Sequence, residues 1–167
     1  ARADPGRHGG DFRRIVEGVN ATLDAVLAPV GAASEALDRI SHGDLPERVE
    51  GRYPGDFARV QESLARASAA IRALVQDVES LARAGVEGDL SARADSARHQ
   101  GEYRKVVDGM NRTLDAVTAP VDATLKALEA LSRRDLSTRV QGRFAGDHAR
   151  LVRAVNATGQ ALGQSIA

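Results

Sequence analysis

The sequence predicts an all-α protein, an array of helix pairs joined by long connectors. Three observations carry that prediction. A long unit recurs: Asn20-Ala21-Thr22-Leu23-Asp24-Ala25-Val26 returns as Asn111-Arg112-Thr113-Leu114-Asp115-Ala116-Val117, and 111 − 20 = 91 residues. Aromatic residues make up 3% of the chain while alanine is abundant, which suits close-packed helices and not a β-sheet core. Apolar residues also step by three and four over long stretches, the period of a helical seam. A long-period repeat implies stacked supersecondary units, each burying its apolar face against neighbours.

The elements follow in order. Phe12, Ile15, Val19, Thr22 and Val26 lead toward Ala33, Leu37 and Ile40. Phe57, Val60, Leu64, Ala67, Ile71, Leu74, Val78 and Leu81 form an unbroken seam with no Pro or Gly between Phe57 and Ala84. Tyr103, Val106, Met110, Thr113 and Val117 lead toward Val121, Thr124, Leu128 and Leu131. The last helix reads Leu151, Val155, Thr158, Leu162. Stops fall at Gly43, Gly88 and Arg134, each followed by Asp-Leu. Glycine closes a helix by taking the left-handed conformation. The next helices open at Gly55-Asp56, Gly101-Glu102 and Gly146-Asp147, with acidic residues where the helix N-terminus favours them. The stops are 88 − 43 = 45 and 134 − 88 = 46 residues apart, so the long unit is two similar halves.

Connector length decides the geometry. The first connector has 55 − 43 = 12 residues, enough to reach about 40 Å when extended. The helix from Pro29 to His42 rises only about 21 Å. A connector can therefore return along the whole helix and make consecutive helices parallel, whereas an antiparallel hairpin needs only a few residues. Leu45 with Val49, Leu90 with Ala94, and Leu136 with Val140 repeat a spacing of four that can plug the connector into the core.

Lys+Arg 23 balances Asp+Glu 23, so no net field draws the chain to nucleic acid or anionic lipid. The local cluster Arg133, Arg134, Arg139 and Arg143 reads as solvated connector surface. Without cysteine there is no disulfide frame, thiolate metal site or thiol nucleophile, which fits a cytoplasmic protein. The charge-free stretch from Ala25 to Ser34 is far below the ~20 apolar residues of a membrane span, so no direct span is expected. The chain lacks an initial Met and both ends fall inside patterned segments, so a fragment of a longer protein is expected. His8 and His99 are repeat equivalents on connectors with no second ligand at metal spacing; His42 lies at a helix end and His148 on the seam. No catalytic set, metal site or cofactor site stands out.

Together these features resemble the HAMP domain, a linker module of receptors, histidine kinases and adenylyl cyclases. The matching pattern is a helix opening with Pro, then Gly-x-Leu-x-x-x-Val, then an acidic residue opening a second helix. The first complete unit offers Pro29, Gly43, Leu45, Val49 and Asp56; the second Gly88, Leu90, Ala94 and Glu102; the third Pro120, Leu136, Val140 and Asp147. The second unit has Leu74 in place of Pro, and the third has Arg134 in place of Gly. Residues 1–26 look like the end of an earlier connector and its second helix, with units over 27–72, 73–117 and 118–167. The Asn-x-Thr-Leu-Asp-Ala-Val stretches resemble tandem HAMP arrays of methyl-accepting chemotaxis proteins.

The resemblance implies concatenated parallel four-helix bundles formed by a homodimer, with sensor and output domains of the same chain as neighbours. A lone helix pair from an Ala-rich sequence also buries too little to be stable alone. The function expected is an intracellular signal relay in which helix rotation or repacking passes along stacked bundles of a dimeric chemoreceptor. Alternatives are a histidine-kinase linker, a monomeric helical-solenoid scaffold or a structural spacer. The leucines and Val49, Ala94 and Val140 are expected to seat the connectors. Asp56, Glu102 and Asp147 either bond connector amides or only complement helix N-termini. Asn20, Asn111 and Asn156 are read as polar groups near the seam or solvated outward, with His148 on the seam itself.

Overall fold

The computed structural model describes residues 2–166, with side chains from Arg2 to Gln164. The described residues are helical and contain no strand: α1 (Gly10–Ser41), α2 (Asp56–Glu87), α3 (Gly101–Ser132) and α4 (Gly146–Ile166). Short 3-10 turns lie at Pro5–Arg7 and Ser96–Arg98. Helices α1, α2 and α3 each have 32 residues, about 48 Å at 1.5 Å per residue. Each therefore spans the second helix of one repeat half and the first helix of the next.

All three helix stops use one device. The amide of Asp44 donates to Arg39 O (2.9 Å) and that of Gly43 to Ile40 O (3.0 Å). The same pair of bonds joins Asp89 to Ala84 (2.8 Å) and Gly88 to Gly85 (3.3 Å), then Asp135 to Ala130 (3.0 Å) and Arg134 to Leu131 (2.9 Å). This is the Schellman arrangement, which satisfies carbonyls at a helix end and needs a left-handed residue. Gly43 and Gly88 supply it with φ of 83° and 82°, and Arg134 adopts φ 64° in the same role despite its Cβ.

The two prolines do not open helices, contrary to the family pattern. Pro29 lies inside α1 and Pro120 inside α3, and both are buried. A proline removes one intrahelical bond, but the apolar spacing runs on both sides of each ring. The helix continues through both rings, which themselves are buried.

The chain divides into two compact units, Ala1–Gln76 and Asp77–Ala167. In the first, a narrow cleft is lined by Ala32, Ala36 and Arg39 of α1 and by Pro46, Val49 and Glu50 of the connector. The first connector thus returns along the helix it has just left. In the second unit α3 and α4 pack together around Ala127, Val140, Val152 and Val155, with Ala123 and Phe144 against them. There too the connector runs back: His99, twelve residues beyond the end of α2 at Glu87, meets Asp77, ten residues before it. Ten helical residues rise about 15 Å, so the second connector climbs back along the end of α2 before α3 begins.

Contrary to the expectation drawn from its short charge-free run, α1 is long and apolar enough to cross a membrane by length and composition. Its apolar side chains are largely exposed in the single chain: Phe12 73%, Ile15 61% and Leu37 54%.

Candidate functional site

The residues that distinguish this fold from a plain helical rod are those seating the connectors. Each seat begins with the aspartate after the helix stop. Asp89 Oδ1 accepts from the amide (3.0 Å) and hydroxyl (2.6 Å) of Ser91. Asp135 does the same with Ser137 (3.0 and 2.6 Å) and also accepts from the Thr138 hydroxyl (2.7 Å). Position 46 is a proline, which has no N–H or hydroxyl to offer. Asp44 accordingly turns to Arg39, whose Nε donates at 2.7 Å. These bonds favour the charged carboxylate. The Ser137 hydroxyl, then that of Thr138, lowers Asp135 to about 2; Ser91 lowers Asp89, and Arg39 lowers Asp44.

A second element of the seat is an asparagine on the following helix. The amide of Val140 donates to Asn156 Oδ1 (2.8 Å), and Asn156 Nδ2 donates to Val140 O (3.1 Å). Asn111 holds Ala94 in the same way (3.0 and 2.8 Å), and Asn20 holds Ala3 (3.2 and 2.7 Å). One side-chain amide thereby satisfies both backbone groups of a connector residue. The sequence reading has these half-buried asparagines near the seam or turned outward; the structure adds that each bonds a connector backbone. The equivalent place in the first complete unit is Ala65, since 111 − 102 = 156 − 147 = 65 − 56 = 9. Gln61, one turn earlier, replaces the missing amide: its Nε2 donates to the carbonyls of Val49 (3.3 Å), Glu50 (3.3 Å) and Gly51 (3.0 Å). Arg72 adds a bond to Leu45 O at 2.5 Å.

The connectors come in two alternating kinds. Those before α1 and α3 carry an aspartate-capped 3-10 turn, with Asp4 accepting from Gly6 N and Asp95 from Ala97 N, and end in His8 and His99. Each is tied to its helix by an arginine, Arg2 to Asp24 and Arg93 to Asp115. Those before α2 and α4 instead have Gly51 and Gly142 with φ 86° and 131°, over which the rings of Tyr53 and Phe144 fold. A Cβ on Gly51 would stand 2.8 Å from the Tyr53 ring, so the close approach requires glycine.

The apolar residues expected on connectors are unevenly placed. Val140 is buried at 7% and belongs to the core of the second unit. Leu45, Val49, Ala94 and Leu136 are half-buried, while Leu90 is exposed at 48%. Asp56, Glu102 and Asp147 do not reach connector amides. They are exposed and pair three residues on with Arg59 (3.3 Å), Lys105 (2.6 Å) and Arg150 (2.7 Å), leaving complementarity with the helix N-terminus as their role. His148 is half-buried in the first turn of α4. Among the described residues no group of His, Asp and Glu is arranged to hold a metal.

Helix, left-handed stop, returning connector and second helix define a module that links one helix pair to the next. The family model of the HAMP domain matches residues 7–73 and 98–164, and the chain belongs to that family. The matches start 98 − 7 = 91 residues apart, the register of the sequence repeat. HAMP domains are signal-relay linkers of chemoreceptors and histidine kinases and are not themselves catalytic.

Proposed function

We propose that this chain is the relay segment of a dimeric chemoreceptor on the cytoplasmic side, working as a stack of parallel four-helix bundles with two helices from each of two identical chains. One observation carries the dimer. Ile15, Val19, Leu37, Val106, Leu128 and Leu151 all lie exposed at helical seam spacing on the single chain. Contiguous apolar surface of this kind marks an interface. A second copy suits it better than lipid. Helix α1 places Arg13, Arg14, Glu17, Asp24 and Glu35 around its apolar stripe, and its repeat α3 carries Lys105, Asp108, Arg112, Asp115, Asp122 and Lys126. A helix exposed to lipid is apolar all round.

The relay reading rests on continuity and alternation. A change of rotation or packing at one end of a continuous helix such as α2 is felt at its other end. The two connector kinds give alternate bundles different seats, hence different preferred packings. A switch needs two packings within a few kcal/mol of each other. The chemoreceptor assignment follows the Asn-x-Thr-Leu-Asp-Ala-Val stretches; attachment to a histidine kinase is the alternative.

Solution mass tests the first part: twice the 17.6 kDa of one chain supports the dimer, and a monomer at micromolar concentration refutes it. For the relay, spin labels on Leu128 report distance across the last bundle while a cysteine cross-link at Leu37 locks the first. A shift in the downstream distance supports transmission; identical distances mark an inert spacer.

A further inference from the structure

The contact between Asp77 on α2 and His99 on the second connector stands apart from every other connector seat. His99 Nε2 lies 2.5 Å from Asp77 Oδ2, with both residues buried, at 5% and 8% exposure. The corresponding places in the other complete units are apolar. His99 lies two residues before Gly101, as Tyr53 does before Gly55 and Phe144 before Gly146. Asp77 lies three residues after Leu74, as Ala32 does after Pro29 and Ala123 after Pro120. Where the third unit packs Phe144 and Ala123 on one core, the second buries an imidazole against a carboxylate.

We propose that the Asp77–His99 contact is a protonation-sensitive latch that sets how firmly the middle connector is seated. Histidine as a residue type changes charge between about pH 5 and 8. An imidazolium facing a buried carboxylate makes a charge-assisted bond about twice as strong as a neutral one. Loss of the proton leaves the carboxylate with a weaker donor in a place where unpaired charge is costly. The other charged groups nearby do not replace it. Arg98 Nη1 is 3.6 Å from Asp77 Oδ1 and largely solvated, Asp95 is occupied by Ala97 N, and Glu102 at the start of α3 is held by Lys105. The middle connector is therefore firmer in mild acid than in mild base, while connectors seated by Tyr53 and Phe144 are indifferent. This rests on the connector seats alone and stands whether or not the chain relays a signal.

Amide exchange on the intact chain tests it, with rates corrected for the intrinsic pH dependence of exchange. Residues 88–100 are expected to lose protection about five- to tenfold between about pH 5.5 and 8, relative to residues 42–55 and 133–145. The double variant Asp77→Ala/His99→Phe, which installs the pair found in the third unit, is expected to stay protected and lose the pH step. Equal pH profiles in all three connectors, or a step that survives in the double variant, would each overturn the proposal.

Discussion

Asn156 and the backbone of Val140 exchange two hydrogen bonds, at 2.8 and 3.1 Å, across 16 residues of sequence. The connector is thereby fixed to α4 at the level where Val140 enters the apolar core. Removing the side-chain amide leaves a half-buried N–H and C=O without those partners. Asn156→Ala is predicted to cost about 1–3 kcal/mol, read as a fall in thermal midpoint. It should also speed amide exchange at Val140 itself, which a uniform loss of stability would not single out.

The first complete unit lacks this asparagine and relies on Gln61. Gln61→Ala is predicted to loosen residues 49–51 in hydrogen exchange. Adding Ala65→Asn in that background should restore protection at Val49, because position 65 stands where Asn111 and Asn156 stand. No recovery would mean that the seats are not interchangeable.

Arg134 occupies the left-handed stop that glycine fills at positions 43 and 88. The Cβ penalty for that conformation is about 1–2 kcal/mol. Arg134→Gly is predicted to stabilise the chain by about 1 kcal/mol, measured by denaturant unfolding with an unchanged slope.

Asp135 is held at about 2 by the hydroxyls of Ser137 and Thr138, below its ordinary 3.8. A carboxylate depressed in the folded state contributes stability that is fully present above the unfolded value. That contribution fades as pH falls through about 2. Acid titration of Ser137→Ala/Thr138→Ala against the parent chain should therefore show a difference above about pH 4 that disappears toward pH 2. A difference that persists or grows in acid would reject this role.

Much of the fold is legible in the sequence, because helix stops and seams depend on local residues. Gly43, Gly88 and the acidic openings at 56, 102 and 147 lie within a residue or two of the observed ends. The 3-4 spacing also runs through Pro29 and Pro120, and it outweighs the proline rule that places a helix start there. The seats are less legible. Asn156 and Val140 are far apart in sequence, and an asparagine near a seam carries no sign of which backbone it will meet. The repeat held one usable signal: Ala65 breaks a pattern kept by Asn20, Asn111 and Asn156. The Asp77–His99 pair is hidden for a related reason. His99 matches His8, its equivalent one full period away, and only Tyr53 and Phe144, half a period away, mark it as unusual.

In the proposed dimer two copies meet side by side, in register and pointing the same way. The chain has no cysteine, so single cysteines report cleanly. Leu37→Cys and Leu151→Cys, each alone and then mixed, are oxidised under dilute conditions. A parallel dimer predicts that each variant cross-links to itself and that the mixture forms no heterodimeric cross-link. Cross-links only between Leu37→Cys and Leu151→Cys chains, or none at all, would contradict it.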